Sequence, residues 1–140
     1  MKFSYIKIPS ADPRKKWISR PIISVMLIGP KGSVIVDALI DSGADKCLFH
    51  SDLAKEIGLD LQDGKQEMFS GITGKQIAAF EHKVYLQVLE IDKKIELFAG
   101  FVDIPGVFAI LGQEGFFDNF RIKFEKDHNS IEIKPIKQKK

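Results

Sequence analysis

The sequence predicts an all-β protein, a closed barrel of many short strands with one or two short helices. Apolar and polar residues alternate over 3–8, 22–28 and 34–40, the period of a strand with one buried face. The runs are rich in Val, Ile and Phe. They are broken at short intervals by Gly29-Pro30-Lys31-Gly32, Asp92-Lys93-Lys94, Pro105-Gly106 and Lys126-Asp127-His128-Asn129-Ser130, which are turn signals. The 140 residues, 44% hydrophobic and 29% charged, predict one domain over 1–140, long enough to bury a core but too short for two lobes.

The first hairpin joins 22–28 to 34–40 through the Gly-Pro-Lys-Gly turn. Its second arm, Ser33-Val34-Ile35-Val36-Asp37-Ala38-Leu39-Ile40, runs directly into Asp41-Ser42-Gly43, so an acidic turn ends a largely buried strand. A two-turn helix is expected over 51–57, with Ser51 as cap and Gly58 at its exit. Gly71-Ile72-Thr73-Gly74-Lys75 reads as a hairpin tip between arms at 66–69 and 76–91. Strands follow at 95–102 and 107–112, then a second short helix at 114–119, and strands at 120–124 and 131–133. Trp17 and the phenylalanines at 98, 101, 108, 116, 117, 120 and 124 are expected in the core.

The formal charge is only +2. The lysines of the tail at 134–140 and the run Arg14-Lys15-Lys16 read as solvated, without interleaved aromatics, so nucleic acid is not an expected partner. Cys47 is the sole cysteine, which rules out an internal disulfide and reads as a buried, inert thiol. No apolar run approaches the length of a membrane span, and the alternating N-terminus lacks an export-signal core. The expected setting is cytoplasmic, with no membrane partner. His50, His82 and His128 are too scattered for a metal-ligand spacing, so neither a metal nor another cofactor is expected. Ser42 lies in no Gly-x-Ser-x-Gly elbow and Cys47 in no nucleophile motif.

Asp41-Ser42-Gly43 supplies what a carboxylate needs at a tight turn above an apolar strand: an acid without a basic partner, a hydroxyl beside it and a glycine that lets the chain turn closely. The tripeptide alone is a common surface turn. Here it lies between an apolar strand and Leu48-Phe49, and is echoed by a second apolar strand ending Ile110-Leu111-Gly112.

Three pieces in order, Ala38-Leu39-Ile40-Asp41-Ser42-Gly43-Ala44-Asp45, Gly71-Ile72-Thr73-Gly74 and Ala109-Ile110-Leu111-Gly112, resemble the retropepsins, the single-domain aspartic peptidases of retroviruses, retroelements and bacterial relatives. The resemblance covers about 17–135. It implies a homodimeric, retropepsin-like acid-protease barrel and an endopeptidase activity on peptide or protein substrates. It implies Asp41 as the catalytic aspartate, with Ser42 and Gly43 as the turn that positions it. Ala44, Asp45, Leu48 and Ile110 would line the substrate cleft, and Ile72, Thr73 and Gly74 would close over an extended peptide. The terminal strands would join an intersubunit sheet.

The chain departs from the family pattern in two places. Ser42 stands where threonine is more common, and Gln113 stands where an arginine commonly pairs with an aspartate matching Asp45. Lys46 beside the turn either tunes a pocket's charge or faces solvent. The chain holds a single Asp-Ser-Gly, so a mechanism needing two carboxylates that share one proton requires the second from a twofold-related copy. Two other readings fit the residues: a catalytically silent dimeric peptide-binding or assembly domain, and a small basic β-barrel that binds nucleic acid.

Overall fold

The computed structural model describes residues 1–70, 76–103, 105 and 109–137. The first hairpin forms as its pattern requires. Strands β4 (Ile22–Gly29) and β5 (Gly32–Ile40) pair from Ile22 opposite Leu39 to Gly29 opposite Gly32, leaving Pro30 and Lys31 as a two-residue turn. Val25 and Leu27 point into the core, and Ala38 and Ile40 join them further along.

Six strands close into a barrel in the order β4, β5, β10 (Ala109–Leu111), β6 (Leu48–His50), β9 (Lys94–Val102) and β8 (Gln76–Val88), with β8 returning to β4. Closure rests on the length of β8. Its residues at 85–88 pair with β4, while those at 76–81 pair with β7 (Lys65–Ser70), which lies outside the ring. Inside, Phe49 and Phe101 pack with ring centroids 5.9 Å apart, in the same core cluster as Leu86 and Leu111. Each such fully buried side chain contributes about 1.5–3 kcal/mol of transfer free energy.

A three-stranded sheet packs beside the barrel, β12 (Ser130–Pro135) between β1 (Lys2–Ser4) and β11 (Phe120–Glu125). Its inner side chains Ile131, Ile133 and Phe120 belong to the same core cluster as the barrel. Within the chain β12 has a neighbour on each side, and Met1 and Ile133 exchange two backbone hydrogen bonds at 2.9 and 3.2 Å. The terminal strands therefore pair with each other within one chain, with β1 and β11 as the outer strands of the sheet. A separate ribbon of β2 (Ile6–Pro9) and β3 (Trp17–Arg20) was not foreseen, because Ser19 and Arg20 give β3 too little alternation.

The helix α1 spans Ser51–Glu56, and its cap is His50, whose side chain accepts from the Asp52 amide at 3.1 Å. Ser51 is instead its first helical residue. The segment at 114–119 is a series of turns and not a second helix. Gly115 takes φ +94, a left-handed value that interrupts helical progression. The amides of Phe117 and Asp118 then reach back to Gly112 and Gln113, five residues away. Trp17, Phe98 and Phe124 also lie outside the core, each at least two-fifths exposed. Lys16 covers the Trp17 ring at 5.7 Å. Phe101, Phe116 and Phe120 are buried as expected, and Phe108 lies outside the described residues.

Candidate active site

Asp41 is the first residue beyond β5, where β10 runs parallel to β5 and antiparallel to β6. Its amide continues the ladder by donating to Leu111 O at 2.9 Å. The chain then reverses: the Ala44 amide donates to Asp41 O at 3.1 Å, and the Gly43 amide to Asp41 Oδ1 at 2.9 Å. A short acid that accepts from the backbone two residues on is the usual reason Asp opens such a turn. Ile40 beneath it is buried, while Asp41 is half-buried, with Ser42 and Gly43 exposed. The carboxylate thus stands at a boundary, less deeply enclosed than the apolar strand before it suggests.

The turn residues that follow β10 hold this loop in place. Gln113 N donates to Ala44 O at 2.8 Å and Glu114 N to Asp45 O at 2.8 Å. Gln113 Nε2 donates to Ser42 O at 2.7 Å, so the residue standing in place of the family arginine braces the acidic turn of its own chain. Cys47, fully buried, accepts from the Gly112 amide at 3.4 Å and reaches Glu114 O at 3.5 Å. Burial pushes its thiol pKa above the ordinary range. Gly112 lies so close to the loop that an added Cβ would meet Ala44 O at 2.7 Å and also collide with Lys46 O.

Leu39, Ile110 and Leu48 lie in one register row across β5, β10 and β6. All three are half-buried, whereas Ala109 and Leu111, the neighbours of Ile110, point into the core. The row brings the predicted cleft residues Leu48 and Ile110 together and adds Leu39. Ala44 is half-buried and Asp45 exposed in the same loop. Ile72, Thr73 and Gly74 lie outside the described residues, although the strands expected to carry them, β7 and β8, are formed.

Lys46 neither faces solvent nor stands apart. Its Nζ lies 2.6 Å from Glu67 Oε2 on β7 and 3.2 Å from Glu81 Oε2 on β8. This contact was missed in the sequence. Its trace there is positional: register puts Lys65, Glu67, Glu81 and the buried Ala79 on one face of the β7–β8 pair, and carboxylates beside a buried position need a cation. Among the described residues no group of three or more His, Cys, Asp or Glu is arranged to hold a metal ion.

Barrel and turn together define a protein of the aspartic acid-protease class, with a retropepsin-like fold. Residues 25–113 match the aspartyl protease family, and the chain belongs to it. No curated protein matches the chain. Among solved structures it is similar to a retropepsin-like aspartic protease from Rickettsia conorii, with a TM-score of 0.58 and 17% sequence identity over 94% of this chain and 98% of that one.

Proposed function

We propose that this chain is an aspartic endopeptidase that works as a homodimer, 1–140 forming one domain that supplies half of the site. The observation that carries the reading is the mounting of Asp41: amide on Leu111 O, carboxylate on the Gly43 amide, and the turn braced from beneath by Gln113. One Asp-Ser-Gly per chain requires that the second carboxylate come from Asp41 of another copy on a twofold axis.

The pair then shares one proton. The ionised carboxylate takes a proton from a bound water as its oxygen attacks the scissile carbonyl carbon. The protonated one gives its proton to the carbonyl oxygen, yielding a neutral gem-diol. Collapse of the diol breaks the C–N bond, the amine leaves with a proton relayed by the carboxylates, and one proton again remains on the pair. The reaction needs one carboxylate ionised and the other protonated, so the rate profile against pH is bell-shaped.

Ser42 and Gly43 fix the turn, and the half-buried row of Leu48, Ile110 and Leu39 offers an apolar floor beside it, with Ala44 and Asp45 at its edge. An extended peptide with apolar side chains suits that floor, and Ile72, Thr73 and Gly74 are the residues assigned to its other side. The test is digestion of a peptide library by wild type and Asp41→Asn, with and without a transition-state-mimicking aspartic-peptidase inhibitor. Asp41→Asn folds normally and loses activity by about a thousandfold or more. Cleavage by that variant at the wild-type rate refutes the assignment.

A further inference from the structure

The loop that carries Asp41 and the β7–β8 hairpin belong to different parts of the chain, and Lys46 joins them. The root of Lys46 is rigid. Its backbone bridges to Glu114, its carbonyl lies over Gly112, and the next carbonyl, of Cys47, accepts from the Gly100 amide at 3.0 Å. From this root the ammonium reaches one carboxylate on each arm of the hairpin. Lys65 Nζ, 3.9 Å from Glu67 Oε1, extends the charges into an alternating chain of Lys65, Glu67, Lys46 and Glu81.

This differs from an ordinary surface pair. The side chains of Lys46, Glu67 and Glu81 are 23%, 23% and 21% exposed, against 77% for Lys65. Glu67 stands opposite Ala79 and Glu81 opposite Lys65, so the two carboxylates are diagonal neighbours on one face and repel each other unless a cation sits between them. A preorganised cation offsets that repulsion without having to be ordered first.

From this geometry we infer that Lys46 is a positioning residue for the Asp41 site, its ammonium pinning both arms of the β7–β8 hairpin to the Asp41 loop so that substrate capture depends on it. The inference rests on the peptidase reading for its kinetic consequence but not for its structural one. Lys46 touches neither the reacting bond nor Asp41's carboxylate in this scheme; it sets where the neighbouring hairpin stands.

The test pairs hydrogen exchange at the β7 amides with peptide kinetics, using Lys46→Met, Lys46→Arg, Glu67→Gln and the double variant Lys46→Met/Glu67→Gln. In Lys46→Met the β7 amides exchange roughly threefold to fivefold faster, the size of a partly buried ion pair lost from a local opening. KM rises by a similar factor while kcat stays within about twofold. Lys46→Arg restores both readouts. The double variant exchanges no faster than Lys46→Met alone, because both changes break the same contact. Unchanged exchange and KM in Lys46→Met overturn the inference, as does a double variant whose effects multiply or a loss confined to kcat. If wild type cleaves no peptide and the β7 amides still respond as described, the anchor stands and the peptidase reading falls.

Discussion

Gly112 occupies a position where a methyl group has no room, under Ala44 O and Lys46 O. Gly112→Ala must lift the Asp41 loop or bend β10, and it is expected to lower stability by about 1–3 kcal/mol in urea unfolding. Cys47 lies next to it, fully buried and with its thiol pushed up by burial. Alkylating reagents are therefore expected to label it at neutral pH only when denaturant is added, as mass spectrometry of the native and unfolded protein would show. Asp41, Ser42 and Gly43 were legible because a tight turn needs particular residue types in immediate succession. The bond from Gln113 to Ser42 O was not, since it spans 71 residues and a glutamine carries no local signature of the carbonyl it will meet.

Strands were legible wherever one face is buried and the period is plain, as in β4, β5, β8 and β9. Element reading failed where a single side chain or dihedral decides. His50 caps α1 ahead of the better-known capping residue Ser51, and Gly115 turns an apparent helix into turns. The β7–β8 hairpin carries a pH dependence with a definite sign. The Lys46 hydrogen bond lowers the Glu67 pKa from its ordinary 4.5, and hydrogen bonding to Glu67, opposed by desolvation, raises Lys46 above 10.5. A lowered carboxylate contributes stability that is present above the unfolded value and lost as pH falls through the folded one. A raised lysine contributes stability present below 10.5 and lost as pH climbs through its folded value. The difference in thermal midpoint between wild type and Lys46→Met is thus expected to hold through the neutral range and to close on acidification below the ordinary glutamate range. A gap that widens under acid contradicts the pairing.

At the scale of the molecule, the homodimer reading has its own test. Active sites built from two copies lose specific activity on dilution. Asp41→Asn chains added in excess should capture wild-type chains in mixed pairs that hold one carboxylate too few, so activity is expected to fall with the mixing ratio. Activity that survives both dilution and mixing at full strength excludes a shared site. Barrel closure makes a second prediction. Phe101 is fully buried against Phe49, and Phe101→Ala is expected to cost about 3–5 kcal/mol of unfolding free energy.

The amino-acid order alone determined the all-β class, the strand leading into the acidic turn and the family resemblance, because alternation and turn chemistry act between near neighbours. Only the tertiary structure decided which strands close the ring, that β1 and β12 pair within one chain, that Trp17 and Phe98 stay outside the core, and that Lys46 answers Glu67 and Glu81. Those outcomes depend on groups far apart in the chain meeting in space, where burial and charge settle what no local pattern encodes.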